Sequence, residues 1–330
     1  MSRNNEFYES FPHNESSCSS EVPLISLDGM CNPMRRPIVV DQIANACIRY
    51  GFFQVINHGI SQEMLDGALS VASDFFNLPS QDKAKFYSPD IHRPVRYSTS
   101  FKDVGAAGQA RSWRAFLKHY AHPLQEWIGL WPQNPPLYRE KIGEYVVEIQ
   151  KLALKLMSAI TESLGLGQAY LSDKLNEGMQ VMSINWYPPR PKDAPGIPQH
   201  SDYSCLTILL QDSPGLQILD RGSGSWKAVP VIQAALQVHV GDHLEVLSNG
   251  RYKSVVHRVT VRGEGTRISI ASLHSLGMDV KMEVARELVD EHNPERYRRS
   301  SFRDFLNFAS SNELGEGTTF LDSLKIDPLV

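Results

Sequence analysis

His200 and Asp202 stand two residues apart in PQHSDYSCLTILL, residues 198–210, at the edge of an apolar segment. In an extended chain, side chains two apart point the same way, so an imidazole nitrogen and a carboxylate oxygen would be offered side by side. Such a pair could hold a divalent metal but needs a third ligand. Of the eleven histidines, His257 in SVVHRV supplies one; it is expected near the end of a later strand, after an Asn249-Gly250 turn folds the chain back. Two histidines and one carboxylate on one face of a metal favour non-haem Fe(II) and leave positions open for other ligands. In the next strand, TRISIAS, Arg267 and Ser269 share a face by the same period of two. An arginine on an otherwise apolar inner face has to find a carboxylate. Its planar fork and the adjacent hydroxyl suit bidentate capture of one end of a dicarboxylate.

These residues need rigid elements to position them. After about residue 178 the chain reads as short strands, MQVMSINWY, CLTILL, LQIL, WKAVPV, ALQVHV, HLEVL, YKSVVHRVTV and RISIASLH, separated by the turns DSPG, DRGSGS, GD and SNG. Strands this short and regularly spaced predict a sandwich or barrel, and a double-sheet jelly roll meets the description. His200 and Asp202 would project from the first strand after a Pro-rich loop. Upstream, VPLISLDG reads as a strand, the segment from Pro37 to Gly51 as a helix, FFQVINHG as a strand, and 63–79 as a second amphipathic helix. In SWRAFLKHYAHPL, residues 112–124, Trp113, Ala115 and Leu117 alternate against Arg114, Phe116 and Lys118, a strand pattern. The longest helix is expected over 138–164, with Ile142, Val146, Ile149, Ala153, Leu156, Ile160 and Leu164 as one apolar stripe. The fold class expected is mainly β with flanking helices (α+β). Its parts are a disordered leader (1–21), an N-terminal α/β region (22–130), a long helix and connection (131–177), a jelly-roll core (178–280) and a C-terminal helical tail packed on the outside (281–330).

The set HSD at 200–202, His257 in SVVHRV and RIS at 267–269 resembles the soluble plant-type 2-oxoglutarate- and Fe(II)-dependent dioxygenases. NWYPP at 185–189, VPLISLD, GFFQVINHGI at 51–60, and LP followed by Lys83 belong to the same pattern, so the resemblance spans about residues 22–310. It implies that His200, Asp202 and His257 bind Fe(II), that Arg267 and Ser269 hold the distal carboxylate of 2-oxoglutarate, that Tyr187 hydrogen-bonds the same co-substrate and that Asn185 lies near the site. O2 would be consumed, succinate and CO2 released, and ascorbate used as reductant. Trp186 stands where the family usually has Tyr and is expected to face away from Asn185 and Tyr187. The resemblance also places Phe116 and Lys118 against the substrate and Leu273 as an apolar wall near the iron. Lys118 could select an acidic or phenolic ligand, or could simply be solvated. The implied reaction is hydroxylation, desaturation or demethylation of a small specialised metabolite or hormone-like compound, with an aromatic or phenolic scaffold favoured.

The remaining features set bounds. A net charge of −4 over 330 residues gives no reason to expect nucleic acid or an anionic membrane as partner. Four scattered cysteines without CxxC spacing, and a start without an apolar run, point to a cytoplasmic protein, expected to be a monomer. His58, His239 and His243 read as turn and sheet residues, while His274 could line the pocket mouth. Two rivals remain: an iron oxidase of the same fold that uses no keto acid, with Arg267 and Ser269 gripping the substrate's carboxylate, and a non-catalytic jelly-roll binding cup.

Overall fold

The computed structural model describes residues 22–102, 112–312 and 318–326; the expected leader and part of the loop region around 90–110 lie outside them. Twelve strands form two sheets among these residues. The larger runs in the order β1 (Leu24–Ser26), β2 (Phe52–Ile56), β10 (Leu236–Val240), β7 (Leu206–Gln211), β12 (Arg267–Ser275), β5 (Met179–Tyr187), β4 (Ser112–His122) and β3 (Val95–Lys102). The smaller runs β6 (Arg190–His200), β11 (His257–Gly263), β8 (Leu216–Asp220) and β9 (Ser225–Ala228). Phe52, Tyr187 and Leu209 of the large sheet pack against Ile197, Leu216, Ile218, Val259 and Val261 of the small one, making the jelly-roll interior. The strands of the first half therefore extend the same sheet that carries β12.

Helices α1 (Arg36–Arg49), α2 (Gln62–Asn77), α3 (Ser80–Ala84), α4 (Leu124–Trp127), α5 (Tyr138–Ser163) and α6 (Ser172–Asn176) precede the core strands; α7 (Asp242–Leu247), α8 (Phe302–Ser311) and α9 (Phe320–Leu324) follow or interrupt them. The expected stripe of α5 is buried, and the helix packs on α1, α2, β4, β7 and β12. Burying such a stripe removes apolar area from water at about 25 cal/mol per Å², enough to fix the helix on the sheet. Ser61 caps α2 by accepting the Met64 N–H at 3.2 Å, which sets where that helix begins.

Four local expectations are corrected. The Pro-rich stretch is not a loop but β6, and it lies at the edge of the small sheet, where a residue without an N–H costs no ladder bond. HLEVL is the helix α7: His243 and Glu245 are as buried as Leu244 and Val246, so the alternation carried no inside–outside information. Glu245 is retained there because the Ser254 N–H and the Tyr297 hydroxyl both donate to it at 2.7 Å. The segment from Tyr252 becomes a strand only at His257, which begins β11 instead of standing near its end. Finally, β3 was not anticipated; VRYSTSFK is a polar edge strand and lacks the apolar alternation of a half-buried one.

Candidate active site

His200 closes β6, Asp202 lies two residues on in the connection toward β7, and His257 opens β11. The two histidines meet because β6 and β11 pair with His257 directly opposite His200, which brings their ring centroids to 4.2 Å. Asp202 is held from a different side, its carbonyl accepting the Asp242 N–H at 2.7 Å. Asp202 Oδ1 stands 3.9 Å from His200 Nε2 and 4.0 Å from His257 Nε2, too far for hydrogen bonds and within reach of one shared ion. The Nδ1 atoms face backbone carbonyls, at 2.8 Å from Pro198 for His200 and 3.2 Å from Val255 for His257. Those acceptors place the ring proton on Nδ1 and leave both Nε2 lone pairs toward the common space, as metal ligation requires.

The electrostatics agree with that tautomer. Burial lowers the His200 and His257 imidazoles and so keeps them neutral. Burial alone would raise Asp202, but His257, His239 and His200 around it hold its carboxyl well below the usual range. Two neutral imidazoles and one carboxylate are donors that fit a divalent iron.

His239 lies closer to this group than the sequence implied. It is on β10 as expected of a sheet residue, yet its Nδ1 stands 3.6 Å from Asp202 Oδ2, its ring is 4.6 Å from that of His257, and neither ring nitrogen has a hydrogen-bond partner. The VHV alternation was the available signal, since it turns His239 away from the core face of Val238 and Val240. His58 bridges the Ala234 carbonyl and the Ile60 N–H, and His243 on α7 meets Ser300 Oγ at 3.2 Å. His274 does not line the pocket. It is seven residues past Arg267, hence on the opposite face of β12, where Nδ1 meets Gln150 Oε1 of α5 at 2.9 Å.

Arg267 is fixed along one wall: Nη1 donates to Ser269 Oγ at 3.3 Å, Nη2 to Gln211 Oε1 at 2.8 Å and Nε to the Ser213 carbonyl at 3.1 Å. Its guanidinium sits over the Tyr187 ring at 5.0 Å. Two glycines make the room. A Cβ at Gly196 would stand 2.8 Å from the Tyr187 ring, and one at Gly215, where φ is +144°, would stand 3.0 Å from Arg267 Nε. The Tyr187 hydroxyl and the Gln211 amide nitrogen are buried without a hydrogen bond of normal geometry, and no carboxylate among the described residues pairs with Arg267. A buried cation beside two unused donors lacks an acceptor, which is what the carboxylate of a keto acid would bring.

Both groups open into one cavity of about 340 Å³. Alternate residues of three adjacent strands line it: Phe116 and Lys118 of β4; Asn185 and Tyr187 of β5; Arg267, Ser269 and Leu273 of β12. Asn185 Oδ1 accepts from Arg114 Nη1 at 2.6 Å. Trp186 faces the other way, stacked on Phe76 at 6.1 Å. The sequence reading missed three contributors. Arg96 and Arg114 line the cavity, and α8 is not merely outside: Phe302, Phe305, Leu306 and Ala309 cover the cavity. For Arg114 the parity with Phe116 and Lys118 was visible; the placement of α8 depends on a non-local packing.

Two family models match the chain. Residues 177–275 match the 2OG-Fe(II) oxygenase superfamily and residues 22–134 the non-haem dioxygenase in morphine synthesis N-terminal family. The chain is 49% identical over 309 residues to flavanone 3-dioxygenase 3 of Oryza sativa subsp. japonica, covering 92% of this chain and 93% of that one. It is also 49% identical to the 2-oxoglutarate-dependent dioxygenase 21, chloroplastic, of the same plant, over 93% of this chain and 91% of the other. The crystal structure of JOX2 in complex with 2OG, Fe and JA superimposes with a TM-score of 0.81 at 30% identity, covering 93% of this chain and 89% of that one. The chain belongs to the 2OG-Fe(II) oxygenase superfamily and is a 2-oxoglutarate- and Fe(II)-dependent dioxygenase.

Proposed function

We propose that the protein hydroxylates a small aromatic or phenolic metabolite, with His200, Asp202 and His257 holding Fe(II), Arg267, Ser269 and Tyr187 holding the distal carboxylate of 2-oxoglutarate, and Phe116, Lys118 and Leu273 contacting the substrate. The observation that carries this reading is a single cavity that joins three convergent ligand atoms to a buried arginine that has no ion pair among the described residues. When bound, Fe(II) and 2-oxoglutarate supply the oxidising power, O2 decarboxylating the keto acid to succinate and CO2 as a substrate C–H bond is oxidised.

The chain's own part is positional. Pro198 and Val255 carbonyls keep the imidazole protons on Nδ1, Gln211 and Ser213 hold the Arg267 fork in the plane it needs, and Asn185 ties Arg114 to the same wall. Leu273 and the α8 side chains Phe302, Phe305 and Leu306 keep the substrate end apolar and limit water. The name of one relative, a flavanone 3-dioxygenase, supports an aromatic scaffold of this size and hydroxylation over desaturation or demethylation. We place the protein in the cytoplasm, a reading that free Cys31, Cys47 and Cys205 support, and propose that it is a monomer; no helix among the described residues is long and apolar enough to cross a membrane. A fluorescent fusion and a sedimentation measurement check these two points, the chloroplastic name of one relative being the rival outcome for the first.

Anaerobic addition of Fe(II) and then 2-oxoglutarate tests the central reading. A weak visible charge-transfer band should form and vanish in Arg267→Ala, and, once O2 is admitted together with a flavanone or phenolic acid, succinate should be released. Iron binding without a band would favour the keto-acid-independent reading, and band formation without succinate from any aromatic substrate would remove the aromatic assignment.

A further inference from the structure

The substrate end of the cavity contains a charge arrangement that the reaction itself does not need. Arg96 of β3 and Lys118 of β4 are directly opposed in register, and both line the cavity. Like charges directly opposite on neighbouring strands destabilise a sheet, and burial magnifies the cost. Arg114, four residues before Lys118 on β4 and on the other side of Phe116, adds a third cation to the same wall. Among the described residues none of the three has an ion pair, and Arg96 Nε is buried without a hydrogen-bond partner. Among the described residues Lys118 Nζ meets the Ile91 carbonyl, at 2.9 Å, and the face of the Tyr120 ring at 4.8 Å. Asp90 acts on Arg96 and Lys118 from a distance, but it is exposed and already binds the backbone and ring of His92.

Phe116 explains how the cations are held. Its ring has the Arg114 guanidinium at 4.7 Å and that of Arg96 at 5.0 Å, so cation–π contacts position both forks without neutralising them. Burial, with Arg96 alongside, brings the Lys118 ammonium down to about 7, the mark of a cation missing its partner. Among the described residues that line the cavity, the one acid is Asp202, which faces the histidines.

Resting on the dioxygenase reading above, we infer that the prime substrate carries a carboxylate, and that Arg96 and Lys118, with Arg114 beside them, form the subsite that reads it. The acid group would bridge the opposed pair, turning a repulsive cross-strand contact into a shared attraction, and would point the rest of the molecule along the apolar wall toward the iron ligands.

The test is calorimetric binding to the anaerobic Fe(II)–2-oxoglutarate protein, using cinnamate, 4-hydroxybenzoate and phenylacetate, each against its primary amide. At least one acid should bind about tenfold or more tighter than its amide, as expected for a partly desolvated charge contact. Arg96→Gln and Lys118→Met should each cut that preference severalfold while leaving the charge-transfer band of bound 2-oxoglutarate unchanged. Amides binding as well as acids, failure of every acid to bind, or an acid preference that survives in the double variant would overturn the inference. So would a parallel loss of 2-oxoglutarate affinity in these variants, which would give the cations to the keto acid. Absence of the charge-transfer band in the wild-type protein would instead defeat the dioxygenase reading on which the inference stands.

Discussion

The two ends of the cavity are built on opposite electrostatic plans. At the iron end the two histidine ligands and the anchoring arginine are held by neutral partners that fix their direction: backbone carbonyls on His200 and His257, Gln211, Ser213 and Ser269 on Arg267. At the substrate end Arg96, Arg114 and Lys118 are held by the Phe116 and Tyr120 rings, the Asn185 amide oxygen and the Ile91 carbonyl, with no ion pair among the described residues. The first plan presets a geometry for ligands that every turnover shares. The second leaves a field that only the right ligand can neutralise, which is how a pocket discriminates among molecules of similar shape.

The comparison can be broken from its strong side first. Asp202→Ala or His257→Ala should lower Fe(II) affinity by more than the about 10–100-fold typical of residues that only orient a ligand, abolish turnover and leave the circular dichroism spectrum native. Retained turnover would show that iron is held elsewhere. Next, Arg267→Ala should weaken 2-oxoglutarate by about 10²-fold or more, the scale of a buried, hydrogen-bonded charge pair, while iron affinity measured without keto acid stays unchanged. Equal losses of both would mean that the two groups are not separable.

A smaller effect is expected at His239. It faces the Asp202 oxygen that the iron-side contacts do not use, so His239→Ala should reduce Fe(II) affinity about tenfold. An unchanged affinity would make it a packing residue after all.

The weakest effect sharpens the substrate end. Lys118 has its ammonium lowered from 10.5 to about 7, by burial first and by Arg96 second, with Asp90 opposing. Below that value both folded and unfolded chains hold the proton and the folded state bears the burial cost in full; between about 7 and 10.5 the folded chain sheds the proton first, so wild-type stability rises with pH. Lys118→Met should therefore be more stable than wild type by about 1–2 kcal/mol below neutrality, after allowance for solvent screening, and the gain should shrink toward alkaline pH in thermal melts. Acid binding should weaken through the same range, as the wild-type ammonium is lost. A pH-independent difference in stability would return Lys118 to an ordinary solvated residue.

How much of this was legible depended on whether the signal was local. Parity within one strand placed Arg267 and Ser269 on one face and, read further, would have added Leu273 to it and excluded His274 from the pocket. Parity also grouped Arg114 with Phe116 and Lys118, but a cation's significance depends on whether a carboxylate lies across from it, which one strand cannot show. HLEVL misled for a related reason: alternation reports burial only when one side is solvated, and α7 is buried on all sides.

The sequence by itself determined the chemical types and their spacing. The His-x-Asp pair, a later histidine, an arginine two residues before a serine, and short strands around them are properties of neighbouring residues, so they could be read without coordinates. Only the tertiary structure decided that His200 and His257 meet through the β6–β11 register, that His239 faces Asp202 from β10, that Arg96 opposes Lys118, and that α8 covers the cavity. Each of those contacts joins residues tens or hundreds of positions apart, and their pairing follows from how two twisted sheets and their covering helices bury a common core.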